Sequence, residues 1–411
     1  MFRRALSGAP ARRFFAAHAQ SCLGSGLAYV ALPLLAYERF ETPWAIAAVL
    51  LPELLPAIML GPLLGALVDR VGWRTCAIVA DVLRCVAFLI VMSAGSLPVM
   101  FAGALVAGMG TALFAPAALA GLPRIVEGKD SRSAAMGLYS ALDDLGLTVG
   151  PALAAISLAV VSPSTLMAVN ALSFAVSALL IASVASRGAA VTVRPATSLL
   201  ADARAGVREL VARPQIRALL TTSSAVVFCV GITNVGEVVL AREVLHVGGS
   251  GLALMIGAGG LGTVLGSLCA RFTTGGSWMW RRAYLLGIGA LIVELVACGV
   301  LHSYAVAVAA LAVGGFGNGL ALVHDRLLLS GSTPPSLHGR VFGLQRTCIS
   351  LAFALSYLAG SALITQLGVQ GAFLVSGVGL LAVMASALPR LRAAWPAPPA
   401  GSPPALGDAL A

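Results

Sequence analysis

Seven of the 16 acidic residues, Glu53, Asp81, Asp143, Asp144, Glu237, Glu294 and Asp325, fall inside long apolar stretches of the chain. An ionised side chain in hydrocarbon costs about 2.5–3.5 kcal/mol even on the mildest scale, so each needs a partner, a proton or water. A carboxylate beside a cation makes a structural ion pair. A carboxyl that meets water part of the time can instead take up and release a proton. Asp81 and Arg84, spaced i,i+3, read as a structural pair. Asp325 and Arg346, at similar depth in consecutive apolar segments, read as a second one. His324, beside Asp325, has the side chain that titrates near neutral pH.

Asp143 and Asp144 are the candidates for proton chemistry. Consecutive helical residues point about 100° apart, so the two acids cannot share one environment. Asp144 lines up with Ser140 and Thr148, a polar stripe suited to a water-filled cavity. It is expected to be the principal carrier. Asp143 lines up with Gly146 and Gly150, a face suited to close packing, and is expected to be structural, paired to Arg84. Glu53, Glu237 and Asn234 are candidates to meet a substrate or to close a gate. Glu294 is a lone acid in the middle of its segment.

The elements that carry these residues are apolar helices. Of 411 residues, 59% are hydrophobic and 10% charged, and the mean hydropathy is +0.96. Water-soluble domains carry about 25% charged residues, so this chain must be solvated by lipid. A membrane-spanning helix needs about 20 mostly apolar residues. Twelve segments qualify, at 14–37, 44–68, 75–95, 97–120, 133–157, 163–185, 216–241, 249–271, 282–302, 304–329, 339–365 and 368–389. Placing the N-terminus in the cytoplasm puts 21 of the 26 basic residues on that side and only Arg39 and Arg242 on the other. This is the positive-inside asymmetry, so the net charge of +10 is a topological signal and implies no nucleic-acid partner.

The pattern divides the chain into residues 1–186, a linker 187–215, residues 216–392 and a tail 393–411. In the linker Leu199, Leu200, Ala203, Val207, Leu210 and Val211 share one helical face, which predicts an amphipathic helix on the membrane surface. The tail is rich in Pro and Ala and is expected to be disordered. The seven cysteines show no C-x-x-C, so neither a disulfide nor a metal site is expected. Ala17-His18-Ala19 faintly resembles a cleavage site, but no adequate apolar region precedes it, and no cleaved signal peptide is expected. No cofactor is expected either.

Between the second and third segments runs Gly65-Ala66-Leu67-Val68-Asp69-Arg70-Val71-Gly72-Trp73-Arg74. It resembles the signature loop of the Major Facilitator Superfamily of secondary transporters. Gly65 would permit close helix approach and Gly72 a turn with positive φ. The resemblance implies that Asp69, Arg70 and Arg74 belong to a cytoplasmic latch, closed on the eleventh segment near Gly339-Arg340. Gly266-x-x-x-Ala270-Arg271 repeats the spacing after the eighth segment. In the fifth segment Gly137, Gly146, Gly150 and Pro151 resemble the family's antiporter motif, with its closing glycine pair replaced by Ala154-Ala155. That motif implies that the fifth segment closes on the eighth, which carries Gly259, Gly262 and Gly266. The family's drug antiporters often carry an Arg in the fourth segment, where this chain has Ala104. The stretch from Arg12 to Arg84 resembles the bacterial exporter branch that includes siderophore and macrolide efflux proteins.

The resemblance implies an all-α membrane protein of twelve transmembrane helices in two pseudo-symmetric six-helix bundles. It would be a monomer in the bacterial cytoplasmic membrane with both termini inside, exporting a small amphiphilic molecule against proton entry by alternating access. The alternatives are a proton-coupled importer of a small metabolite on the same fold and, more remotely, a polytopic lipid-modifying enzyme. The enzyme reading lacks any catalytic spacing around His324-Asp325-Arg326.

Overall fold

Proline fixes the chain at φ near −65° and gives up no needed hydrogen bond in a first helical turn. Five helices use it there. In the computed structural model, which describes residues 5–6, 8–126, 128–184, 212–273, 276–334 and 337–396, these starts fall just after the short polar junctions. The helices are α1 (Ala9–Phe40), α2 (Pro43–Val71), α3 (Trp73–Ser93), α4 (Leu97–Ile125), α5 (Lys129–Ser157), α6 (Pro163–Ala182), α7 (Pro214–Val230), α8 (Thr233–Val239), α9 (Gly249–Cys269), α10 (Ser277–Val300), α11 (Tyr304–Gly331) and α12 (His338–Ala394). A π turn at Leu240–Val244 continues α8. The amphipathic linker helix and the tail beyond residue 396 lie outside the described residues.

Ten of the helical stretches are long and apolar enough to cross a membrane. The twelve segments differ from these in two places. Helix α5, which carries Asp143 and Asp144, is not among the ten spans found in the described residues. Helix α12 is 57 residues long, about 85 Å at 1.5 Å per residue, against a hydrocarbon core of about 30 Å. It is two spans. Gly368 breaks it with φ 72° and ψ 166°, a conformation open to glycine. Ser356, before the break, meets Gly231, and Gly379, after it, meets Cys229. Residues about equally far on either side of Gly368 thus return to the same level of α7, so the chain doubles back there. Large apolar side chains such as Met59, Ile156, Leu179 and Leu286 stay 69–72% exposed, as lipid-facing positions do.

The helices form two compact units, Met1–Ala196 and Thr197–Ala411. In the first, α1 packs on α5 and α6, α2 on α4, and α3 on α4 and α6. In the second, α7 packs on α12, α9 on α11, and α10 on α11 and α12. Counted by spans, these are the same pairings, so each unit repeats the other's internal plan. Arginine caps repeat as well. Helix C-termini leave unpaired carbonyls that attract cations. Arg74 of α3 donates to the carbonyls of Ile181 and Ala182 at the end of α6. Arg281 of α10 donates to Trp395 O at 2.5 Å, just past the end of α12. Arg13 adds a bond to Ser183 O at 2.7 Å. Arg39 donates to Val91 O at 3.0 Å and Ala94 O at 2.8 Å at the end of α3.

Candidate functional site

The site in the first unit is built where α1 and α5 touch. A Cβ added at Gly150 would lie 2.4 Å from Gly26 Cα, and one at Gly146 would lie 2.7 Å from Cys22 O. Glycine is therefore required for this approach. One turn before Gly146, Asp143 reaches α1. Its Oδ1 lies 3.2 Å from His18 Nε2 and accepts from Cys22 Sγ at 3.5 Å. The His18 side chain is 4% exposed and that of Asp143 49%. The imidazole stacks on Tyr139 at 4.2 Å, nearly parallel, and faces Phe114 at 6.0 Å. A buried base is thus joined to an acid that reaches the surface of the unit.

Phe114 also touches a second charged group. The Arg84 guanidinium sits 4.3 Å from the Phe114 ring centre and 4.1 Å from that of Phe174. Arg84 donates to Asp81 Oδ1; Asp81 is fully buried and Arg84 is 6% exposed. The structural pair read from the i,i+3 spacing is in place. Asp143 is not on Arg84: its partner is His18, because α1 and not α3 lies against the glycine face of α5. Asp144 is exposed on another face of α5, as is Ser140, and it makes interactions of its own; the side chain of Thr148 lies outside the described ones.

Further expectations change for similar reasons. The glycines read as closing the fifth segment on the eighth are used within each unit. Gly146 and Gly150 meet α1, while Gly262 and Gly266 meet Ala312 and Phe316 of α11. Around Gly65 and Gly137 a Cβ would meet no described residue of another element of the same unit within 4 Å. Gly72 takes φ 97° between α2 and α3. Asp69 and Arg70 are exposed in the last turn of α2. An acid at a helix C-terminus faces the negative end of the dipole, so α2 itself gives no reason for Asp69.

In the second unit Asp325 of α11 accepts from Gln345 Nε2 of α12. No Asp325–Arg346 ion pair exists among the described residues, and Arg346 is exposed. One position along a helix turns a side chain by about 100°, which is enough to exchange the two. His324 is fully buried, and its Nδ1 lies 2.7 Å from Leu320 O one turn back, a structural role. Asn234 of α8 donates to Tyr357 Oη of α12 at 3.1 Å. Glu294, 5% exposed, occupies the space left by Gly314, where an added Cβ would fall 1.5 Å from Glu294 Oε2. Glu237 of α8 is half-buried. Glu53 of α2 is half-buried where its backbone meets Gly108 of α4.

Sequence reasoning misses His18, Cys22, Tyr139, Gln345 and Tyr357. For the first two a signal exists. His18 and Cys22 are i,i+4 on one helical face, a ligand-type spacing.

The profile of the Major Facilitator Superfamily matches residues 14–348. The chain is 25% identical over 386 residues to an uncharacterized MFS-type transporter, YfiS of Bacillus subtilis (strain 168), covering 88% of each. It is 25% identical over 393 residues to the multidrug efflux pump Tap of Mycolicibacterium fortuitum, covering 90% of this chain and 93% of Tap. Among solved structures, the nucleoside transporter NupG superposes with a TM-score of 0.71 at 12% identity, over 94% of this chain and 99% of NupG. A bacterial homolog of the human lysosomal transporter Spinster gives 0.67 at 15% identity, over 92% and 97%. These last two likenesses concern the fold alone. With twelve spans, a repeated internal plan and a family match over most of its length, the chain belongs to the Major Facilitator Superfamily and is a multi-pass membrane transporter, not an enzyme.

Proposed function

We propose that the chain exports a small amphiphilic molecule, such as a drug, siderophore or secondary metabolite, against proton entry. It works as a monomer in the bacterial cytoplasmic membrane with both termini in the cytoplasm. The observation that carries the coupling is the Asp143–His18 pair, an acid open to water 3.2 Å from a buried base. The contact ties α1 to α5 beside the glycine-lined approach of the two helices. A ligand or proton that favours one of two states shifts their populations by its differential affinity. The outward direction is supported by the similarity to Tap. This reading exchanges the roles expected from the sequence: Asp144, expected there as the principal carrier, lies on the other face of α5 and becomes the second candidate, and Glu53, Glu237 and Asn234 remain candidates to meet substrate.

Everted membrane vesicles loaded with a fluorescent amphiphilic dye test this reading. The parent chain should concentrate dye when a proton gradient is imposed and release it when a protonophore collapses the gradient. Asp143→Asn should allow only equilibration, with an accumulation ratio near one, and Asp144→Asn should retain gradient-driven uptake. Loss confined to Asp144→Asn would move the carrier to that residue. Accumulation only in right-side-out vesicles would make the protein an importer.

Asp69 has a separate expected effect. Its place in the signature loop assigns it to the cytoplasmic latch, where it would meet the positive end of a neighbouring helix. Such an attraction is worth about 0.3–1 kcal/mol, and up to about 2 kcal/mol when partly buried. Asp69→Asn should therefore leave protein levels unchanged and slow transport several-fold. Transport at the parent rate with normal levels would remove the latch role.

A further inference from the structure

We propose that His18, Cys22 and Asp143 form a binding site for a divalent cation of the zinc class. The three donor atoms are an imidazole nitrogen, a thiol sulfur and a carboxylate oxygen, which is a zinc donor set. They lie within 4.8 Å of one another. His18 Nε2 is 3.2 Å from Asp143 Oδ1 and 3.5 Å from Cys22 Sγ, and Cys22 Sγ is 3.5 Å from Asp143 Oδ1. Zinc bonds of about 2.0–2.1 Å to nitrogen, 2.0–2.2 Å to oxygen and 2.3 Å to sulfur, at tetrahedral angles, place the same donors about 3.3, 3.5 and 3.5 Å apart. The three separations fall in the range such an ion requires, and the direction of the thiol is what has to change.

The supports of the site are rigid. Stacking on Tyr139 fixes the imidazole plane, and the contacts of Gly146 and Gly150 with α1 fix the distance between the helices. One adjustment is needed. Cys22 Sγ also lies 3.7 Å from His18 Nδ1, so it stands beside the ring and must turn about its single side-chain torsion to face an ion held at Nε2. Asp143, half exposed, gives the ion an entry and leaves the fourth position to water. Three protein ligands and an open position are the arrangement of accessible zinc sites. The ligands bind metal only when deprotonated, so protons and the cation compete for the same atoms. Bound metal would clip α1 to α5 and inhibit the transporter. This inference rests on the donor geometry and not on the direction or coupling of transport.

Purified full-length protein in detergent, titrated with Co²⁺, tests the site. Expected are the visible absorption bands of a tetrahedral ion with a thiolate charge-transfer band, saturating at one ion per chain and abolished by Zn²⁺. Cys22→Ser should remove the charge-transfer band, and His18→Gln should weaken binding at least about 10-fold, since loss of even an outer-shell partner costs that much. Both variants should elute as the parent does, and Cys22→Ser should also melt with it. A second measurement needs no variant: Zn²⁺ should protect Cys22, but not Cys85 or Cys348, from maleimide alkylation read by peptide mass spectrometry. Bands that persist unchanged in Cys22→Ser, absence of saturable binding, or equal alkylation of Cys22 with and without Zn²⁺ would each overturn the site. Neither readout uses transport. Gradient-driven export without metal binding defeats this inference alone, and metal binding without gradient-driven transport defeats the coupling reading alone.

Discussion

Arg84→Met is expected to cost about 3–5 kcal/mol of stability, the penalty for leaving one charge of a buried pair alone. Asp81 is fully buried and its Oδ1 accepts from Arg84, whose guanidinium lies between the rings of Phe114 and Phe174. Removing the cation also removes two cation–π contacts, worth about 0.5–2 kcal/mol each. Asp81→Leu should be destabilising in the same way, because it leaves the Arg84 charge buried alone. The double variant Asp81→Leu/Arg84→Met should recover most of the loss, because a buried pair replaced by apolar groups of similar size is often neutral. The measurement is the temperature at which the detergent-purified protein loses its monodisperse elution, with the cycle completed by all four proteins. Arg84→Met melting together with the parent would show that the pair is not a desolvated one.

The glycines of the antiporter-like motif should split into two classes of opposite sign. Gly150→Ala places a methyl group 2.4 Å from Gly26 Cα and 2.7 Å from Gly26 C. Backbone atoms cannot swing aside as the end of a long side chain can, so α1 and α5 must separate. Overpacking of this kind costs about 1–3 kcal/mol. It should also lengthen the His18–Asp143 contact, which depends on the same approach. Gly137→Ala, by contrast, adds a methyl group in open space within a helix. It should gain up to about 1 kcal/mol from helix propensity alone. Thermal stability of the two single variants, measured side by side, decides the matter; a loss at Gly137 equal to that at Gly150 would sink the distinction.

Much of the fold is readable along the chain because the solvent imposes it locally. A segment spans the bilayer when about 20 consecutive residues are apolar, and that test needs no knowledge of neighbours. Hence the twelve segments, the pause at Gly72 and the reversal near residue 368 are visible in linear form. The Asp81–Arg84 pair is visible too, because both ends lie on one turn of one helix.

Partnership between helices is a different kind of information. Helical spacing tells which residues share a face but not which neighbour that face meets. Asp143 shares its face with Gly146 and Gly150, as the spacing predicts, yet only the tertiary structure decides that α1 lies against it and brings His18 from 125 positions away. The same limit exchanges Gln345 for Arg346 beside Asp325, a choice made by a turn of about 100°. It also conceals the capping of α6 by Arg74 and of the end of α12 by Arg281, since unpaired carbonyls at a helix end attract whichever cation the packing brings near. Sequence by itself determined the solvent, the spans and the local pairs, because those depend on stretches of one helix. The tertiary structure alone decided the long-range partners, because they depend on which faces the close-packed helices turn toward one another.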